Sequence, residues 1–294
     1  MKKAFLQLHS AIFLAGFTGV LGRLITLNEG LLVWYRMMIA SIVMLAILYF
    51  SKRLQRLSNK QLLPVIGVGA LIAAHWVTFY ASIKYSNVSV ALVCFSSVGF
   101  FTAVFEPLLL KKKFNIIELL LGLLTIVGIS LIFRFDPQYK FGIIIGVISA
   151  VIGSIFPIFN GQLVKKIESS TITVYELIGG FLFLTLILPF YLKYFPAEYY
   201  LPTLSDFLWL LFLAVLCTVL AFNLLMNALK KISAFTVNLS YNLEPVYGIA
   251  LAFLVYREDK YLGGAFYWGL GLIMLSVVLQ SYRVYWESKR KLKT

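Results

Sequence analysis

Ten long apolar runs follow one another along this chain, separated by short polar breaks. They lie near residues 4–23, 31–50, 62–83, 88–110, 116–133, 141–165, 171–192, 207–229, 234–256 and 263–285. A hydrocarbon core of about 30 Å takes about 20 predominantly apolar residues in a helix, so each run is predicted to cross a bilayer. The narrowest break is Lys84-Tyr85-Ser86-Asn87, between the third and fourth runs. Almost no chain is left over for a soluble catalytic domain. The expected fold is an all-α integral membrane protein of ten transmembrane helices.

The pattern is stated twice, in residues 1–135 and again in 136–294, the second half ending in a short basic tail. Ser10-Ala11 and Gly22 in the first run match Ser149-Ala150 and Gly161 in the sixth, and Trp34-Tyr35-Arg36 is echoed by Val174-Tyr175-Glu176. Ala81-Ser82-Ile83-Lys84 aligns with Asn227-Ala228-Leu229-Lys230, and Val88 with Ala234. The offset grows from about 140 to about 146 residues, the extra length falling in the loop at 193–206. Five spans per half is an odd number, so the second half enters the membrane from the opposite side. Such inverted repeats place a binding site near the midplane, between halves.

Composition and charge narrow the picture. The chain is 61% hydrophobic and 13% charged, against roughly 25% charged in soluble domains. The net charge of +14 lies in the breaks between runs and forms no patterned basic face, which argues against nucleic acid as a partner. With the N-terminus in the cytoplasm, 18 of the 26 Lys and Arg residues fall on the cytoplasmic side and 7 outside, with Arg36 inside a run. Both termini are therefore expected in the cytoplasm. Lys2-Lys3 before an apolar run is also how a signal peptide starts, but that run is too long, and its removal would leave nine spans against the charge rule. The tail charges are a topology signal that can also touch anionic lipid. Cys94 and Cys217 have neither disulfide nor metal-ligand spacing, and no metal is expected.

Ionisable groups inside apolar runs cost about 2.5–3.5 kcal/mol each at a helix centre, so each needs a reason. The deep ones are Arg36, His75, Glu176 and Glu244. Glu244 precedes Pro245, whose ring removes a backbone donor and frees a carbonyl upstream. A desolvated carboxylate there can carry a proton or pair with a polar neighbour. Asn238, Tyr241, Asn242 and Pro245 share one helical face, and Asn223 and Asn227 form an i, i+4 pair on the eighth run. Amides at such depth line a solute path or tie helices together. His75 reads as a packing residue or a relay, while Trp76 and Tyr80 share a face and can wall a cavity. Arg36 can hold a carboxylate or snorkel. Arg36 and Glu176, though repeat equivalents, sit at opposite depths and are not expected to pair directly. Pro157 predicts a kink in the sixth run. Small-residue faces on the fifth and tenth runs suit helix packing, including a homodimer.

With ten runs in two halves, Arg36 followed by Ala40, very short third-to-fourth and eighth-to-ninth connections, Pro245 and the exit Tyr256-Arg257-Glu258, the chain resembles EamA-type ten-helix permeases of the drug/metabolite transporter superfamily. In the first half Gly99 and Lys112 replace the matching Pro and Glu. The resemblance implies a bacterial inner-membrane permease exporting amino acids or other small metabolites by alternating access. No Walker-type phosphate loop occurs, and neither a cofactor nor enzymatic activity is expected. Coupling to protons or to the solute's own gradient is expected. An intramembrane lipid-modifying enzyme and a non-transporting membrane partner are the alternatives.

Overall fold

The computed structural model describes residues 2–135, 137–229, 231, 240–241 and 243–291. Among these residues every regular element is helical. In chain order they are α1 (Lys2–Leu24), α2 (Glu29–Phe50), α3 (Asn59–Tyr85), α4 (Val88–Phe95), α5 (Val98–Leu110) and α6 (Ile116–Phe135), then α7 (Lys140–Leu163) and α8 (Ser169–Tyr194). They continue with α9 (Leu204–Ala214), a π-helical stretch (Val215–Leu220), α10 (Ala221–Leu229), α11 (Glu244–Tyr256) and α12 (Gly264–Lys291). Seven stretches are long and apolar enough to cross a membrane, and three shorter apolar helices accompany them at Ile116–Ile132, Glu244–Tyr256 and Gly264–Leu279. This is a multi-pass membrane fold.

Local chemistry moves several boundaries away from the hydropathy pattern. α3 begins at Asn59, earlier than the apolar run, because Gln61 Oε1 accepts from the Ser58 amide and hydroxyl (3.2 and 2.9 Å). α9 begins at Leu204 because Thr203 and Asp206 satisfy one another's backbone amides in a capping box. The fourth run, expected to be continuous, breaks at Ser96-Ser97. There the hydroxyls of Ser96 and Ser97 donate to the carbonyls of Leu92 and Cys94 (3.1 and 2.6 Å), competing with the helical ladder. α7 runs on through Pro157 to Leu163. Pro245 stands in the first turn of α11, where a missing N–H leaves no helical bond unmade.

α3 lies against α7 and α8, α2 against α8 and α9, and α1 against α10 and α11. α4 sits between α7 and α11, and α6 pairs with α12. The α3–α8 crossing is the tightest of these approaches. A Cβ on Gly69 would stand 2.2 Å from the Glu176 carbonyl oxygen, and one on Gly180 would stand 2.7 Å from the Gly69 carbonyl. Only hydrogen fits at either place. On α6 and α12, Gly128 and Gly269 face each other within the chain, each against the other's carbonyl oxygen.

α7 begins beside the end of α3: Ser82 Oγ donates to the Gly142 carbonyl (2.7 Å), and His75 meets Ser149 two turns on. The two helices are therefore antiparallel. The end of the bundle holding the last turns of α1, α3, α8 and α11 and the first turns of α2, α4 and α9 is called the far end below.

Candidate functional site

Arg36 organises a buried polar centre between α2, α3 and the π-helical stretch. Its Nε donates to Thr218 Oγ1 (2.9 Å) and its Nη1 to the Tyr80 hydroxyl (2.8 Å). The guanidinium carbon lies 3.6 Å from the centroid of the Trp76 ring, a cation–π stack. Arg36 is 3% exposed and does not snorkel. It stands about 10 Å along α2 from Glu29, well inside a hydrocarbon thickness. Each neighbour has its own reason to be there. Trp76 and Tyr80 lie one turn apart on the inner face of α3. Gly22 makes room for the Tyr80 ring, since a Cβ there would come within 2.3 Å of it. Thr218 reaches the guanidinium because its turn is π-wound: its hydroxyl donates to the Leu213 carbonyl (2.9 Å), five residues back, while accepting from Arg36. Such single-turn π insertions occur often at functional sites. No pattern of apolar spacing pointed to Thr218.

Glu244 enters the same centre from the other half of the chain. It is 7% exposed, within electrostatic reach of Arg36 and Tyr80, yet beyond ion-pair distance of the guanidinium. Arg36 Nη2 and the Glu244 carboxylate make no hydrogen bond to any described residue. Trp76 meets Phe222 edge-on, with centroids 6.3 Å apart, so an aromatic from each half closes one side.

The other expected residues are spread out. His75 is buried against α7, where Nδ1 lies 2.9 Å from Ser149 Oγ and 3.0 Å from the Ser149 carbonyl, with the ring stacked on Phe95. That is an interhelical tie. Asn223 donates to the Val219 carbonyl of its own helix (3.0 Å), and Asn227 is exposed. Tyr241 is half-buried and packs with Leu225 and Tyr247 against Leu8 and Ile12 of α1. Asn238 and Asn242 lie outside the described residues. Glu176 is separate from Arg36 and 1% exposed on α8, with the Asn160 side chain of α7 beside its carboxylate. Among the described residues no group of three or more His, Cys, Asp or Glu gathers as metal ligands.

A second polar group, built on Glu258 of the exit motif, whose partners could not be read along the chain, closes the far end. The buried Glu258 carboxylate accepts from Arg23 Nη1 (2.6 Å), the amides of Val88 and Ser89 (3.1 and 2.8 Å) and the Ser89 hydroxyl (2.6 Å). It thus caps α4, where a negative charge meets the positive end of the helix dipole. Asp206 accepts from the Thr26 amide (2.7 Å) and from Tyr199 (2.9 Å), and the Tyr191 hydroxyl donates to Glu29. Burial raises the Tyr199 phenol above its usual range, with the hydrogen bond to Asp206 adding to it, so this hydroxyl stays a donor. Lys84 donates to the Leu27 carbonyl beside a recess of about 350 Å³ lined by Arg23, Thr26 and Ser86. A local signal existed for Asp206, the Thr203-x-x-Asp206 box, but nothing along the chain pairs Glu258 with residue 88.

A bundle of apolar helices that buries an arginine and a glutamate within electrostatic reach of one another, contributed by different halves of the chain, is the build of a membrane transporter. The chain matches the EamA-like transporter family over residues 2–134 and again over 140–282, and it belongs to that family. It is 26% identical over 276 residues to YetK, an uncharacterized transporter of Bacillus subtilis, with 87% of this chain and 80% of that protein covered. It is 27% identical over 162 residues to an uncharacterized transporter of Haemophilus influenzae. That match spans 52% of this chain and only 53% of the relative. A solved crystal structure superposes over the full length of both chains with a TM-score of 0.65 at 16% identity, a likeness of fold.

Proposed function

We propose that this protein is a secondary exporter of the bacterial cytoplasmic membrane that moves a small zwitterionic, amino-acid-like metabolite by alternating access. The observation that carries the reading is the nearness of Arg36 and Glu244, one from each half, both buried and neither bonded to the other, with Arg36 Nη2 and the Glu244 carboxylate making no hydrogen bond to a described residue. A solute bearing a carboxylate and an ammonium group completes both: the carboxylate on Nη2 and the ammonium at Glu244, with Trp76 and Phe222 against its side chain.

The packing supports ten spans in two inverted halves, because its pattern survives exchange of the halves. α3 on α7 mirrors the eighth span on α1, and α3 on α8 mirrors the same eighth span on α2. α1 on α11 mirrors α7 on α4 and α5, while α2–α8, α4–α11 and α6–α12 map onto themselves. Two such halves can rock about the centre they share. The lysine and arginine bias supports cytoplasmic termini. Outward direction rests on the family resemblance.

The test is comparative metabolomics of medium and cytoplasm from cells lacking the protein, expressing it, or expressing Glu244→Gln or Arg36→Lys. One or more amino-acid-like solutes should accumulate inside the deletion strain and move outward with the intact protein only. A change confined to lipids, with no solute affected under any nutrient condition, overturns the reading.

A further inference from the structure

The repeat leaves a matching pair of half-helices, and they are fastened differently. α5 and α11 both run for 13 residues, and they start and stop at repeat-equivalent positions. Each ends on a basic residue in the left-handed region, Lys111 (φ 52°) and Arg257 (φ 55°), whose amide donates to the carbonyl four residues back. The next residue is where the halves differ. It is Glu258 after α11 and Lys112 after α5. The Glu258 side chain is 3% exposed and accepts from Arg23 and from the first amides of α4, tying the second half to the first. The Lys112 side chain is 56% exposed and donates to Glu106 of the helix it follows (2.7 Å). An ammonium group has three donors and no acceptor, so a lysine cannot cap the first amides of a helix.

Packing shows the same asymmetry. α11 buries Glu244, Pro245, Gly248, Ile249 and Ala252. At the equivalent places of α5, only Ala103 is buried, Gly99 is exposed, and Val98, Thr102 and Glu106 are half-buried. A Cβ on Gly248 would stand 2.4 Å from a Leu92 methyl group of α4, whereas one on Gly99 would meet nothing within 4 Å. The half-helix that runs to the far end is sealed, and its counterpart, which runs to the opposite end, is not.

We propose that Glu258 is a one-sided latch, so that without solute the protein rests with the far end closed and loads solute from the end beside Lys112. That end is cytoplasmic on the lysine and arginine bias. The latch rests on the alternating-access reading and decides which of the two states the empty protein occupies. A solute opens the far end only through contacts that are stronger in the far-open state than in the resting one. An empty carrier is thereby kept from opening outward.

Double electron–electron resonance on the purified full-length protein in lipid nanodiscs, with no solute added, tests this. The background is Cys94→Ala with Cys217→Ala. Nitroxide-labelled cysteines at Tyr85 and Lys260 span the far end, and their repeat equivalents at Lys231 and Phe114 span the opposite end; all four positions are exposed. The Tyr85–Lys260 distance should be the shorter of the two. Glu258→Gln should raise the population with the far end parted about tenfold or more, the weight of one hydrogen bond to a charged group. Lys112→Glu, which supplies the missing acceptor, should shorten the Lys231–Phe114 distance. Thermal melting checks that each variant is folded; Arg23→Gln, which removes one partner of Glu258, should act in the same direction as Glu258→Gln and decides the matter if that variant does not fold. Equal distances at both ends, or a shorter one at the Lys231–Phe114 end, overturn the proposal. Unchanged distances in folded Glu258→Gln also overturn it, leaving Glu258 a structural cap. No flux enters the readout, so the exporter reading stands or falls separately.

Discussion

Arg36 shows how a charge is kept inside an apolar bundle: two hydrogen bonds, one aromatic face and one nitrogen with no bond to a described residue. A lysine keeps the charge but loses the flat stack on Trp76 and the forked donors. Arg36→Lys is therefore expected to lower solute flux at least about tenfold with little change in the amount of folded protein. Tyr80→Phe removes one bond to a charged group, about 1.5–3 kcal/mol, and should weaken apparent solute affinity by about tenfold or more. Equal flux in wild type and both variants would remove Arg36 from the transport site. Glu258 has a different role. Its carboxylate ends α4 and meets Arg23, so Glu258→Ala should cost about 2–3 kcal/mol, read as a lower melting temperature in detergent. Arg36, Trp76, Tyr80 and Glu244 were legible in the sequence because polar and aromatic groups stand out against apolar runs. Thr218 was not, and Glu258 was legible as part of the exit motif but its partners were not, because the partners of these two lie 182 and 169–170 residues away.

Helices carry the second layer of specification. Hydropathy locates them well, since about 20 apolar residues in succession have one stable form in lipid. It does not locate their interruptions. The break at Ser96-Ser97 and the π turn at Val215–Leu220 arise from hydroxyls bonding to backbone carbonyls, a signal too local for a 20-residue pattern. The glycine crossings are the mechanical counterpart. Gly69→Ala puts a methyl group 2.2 Å from the Glu176 carbonyl oxygen and must push α3 from α8. Overpacking of that kind costs about 1–3 kcal/mol. Gly67→Ala, two residues away on the opposite face of α3 with nothing within 4 Å, should be neutral. Equal melting temperatures for the two variants would mean that the crossing is not tight.

The molecule as a whole is fastened at the far end, where α1, α2 and α4 of the first half meet α8, α9 and the Glu258 turn of the second. The proposed alternating-access cycle requires these contacts to part. Cysteines at Thr26 and Asp206, whose side chains meet across the halves, should be joined by a short thiol-reactive bis-methanethiosulfonate. Joining them should stop flux, and cutting a cleavable version of the reagent should restore it. The native Cys94 and Cys217 are both buried and serve as internal controls for labelling. Full flux through the joined protein would show that this end does not move.

Apolar run length, the repeat offset and the lysine bias are one-dimensional quantities, so helices, halves and the expected orientation could be read along the chain. Which buried charges find partners could not. Arg36 is satisfied by α3 and a π turn and Glu258 by the amides of α4, and each outcome depends on helices from both halves coming together. Pairing of a buried charge is a short-range, three-dimensional condition, and residues some 170 positions apart meet it only once the bundle has closed.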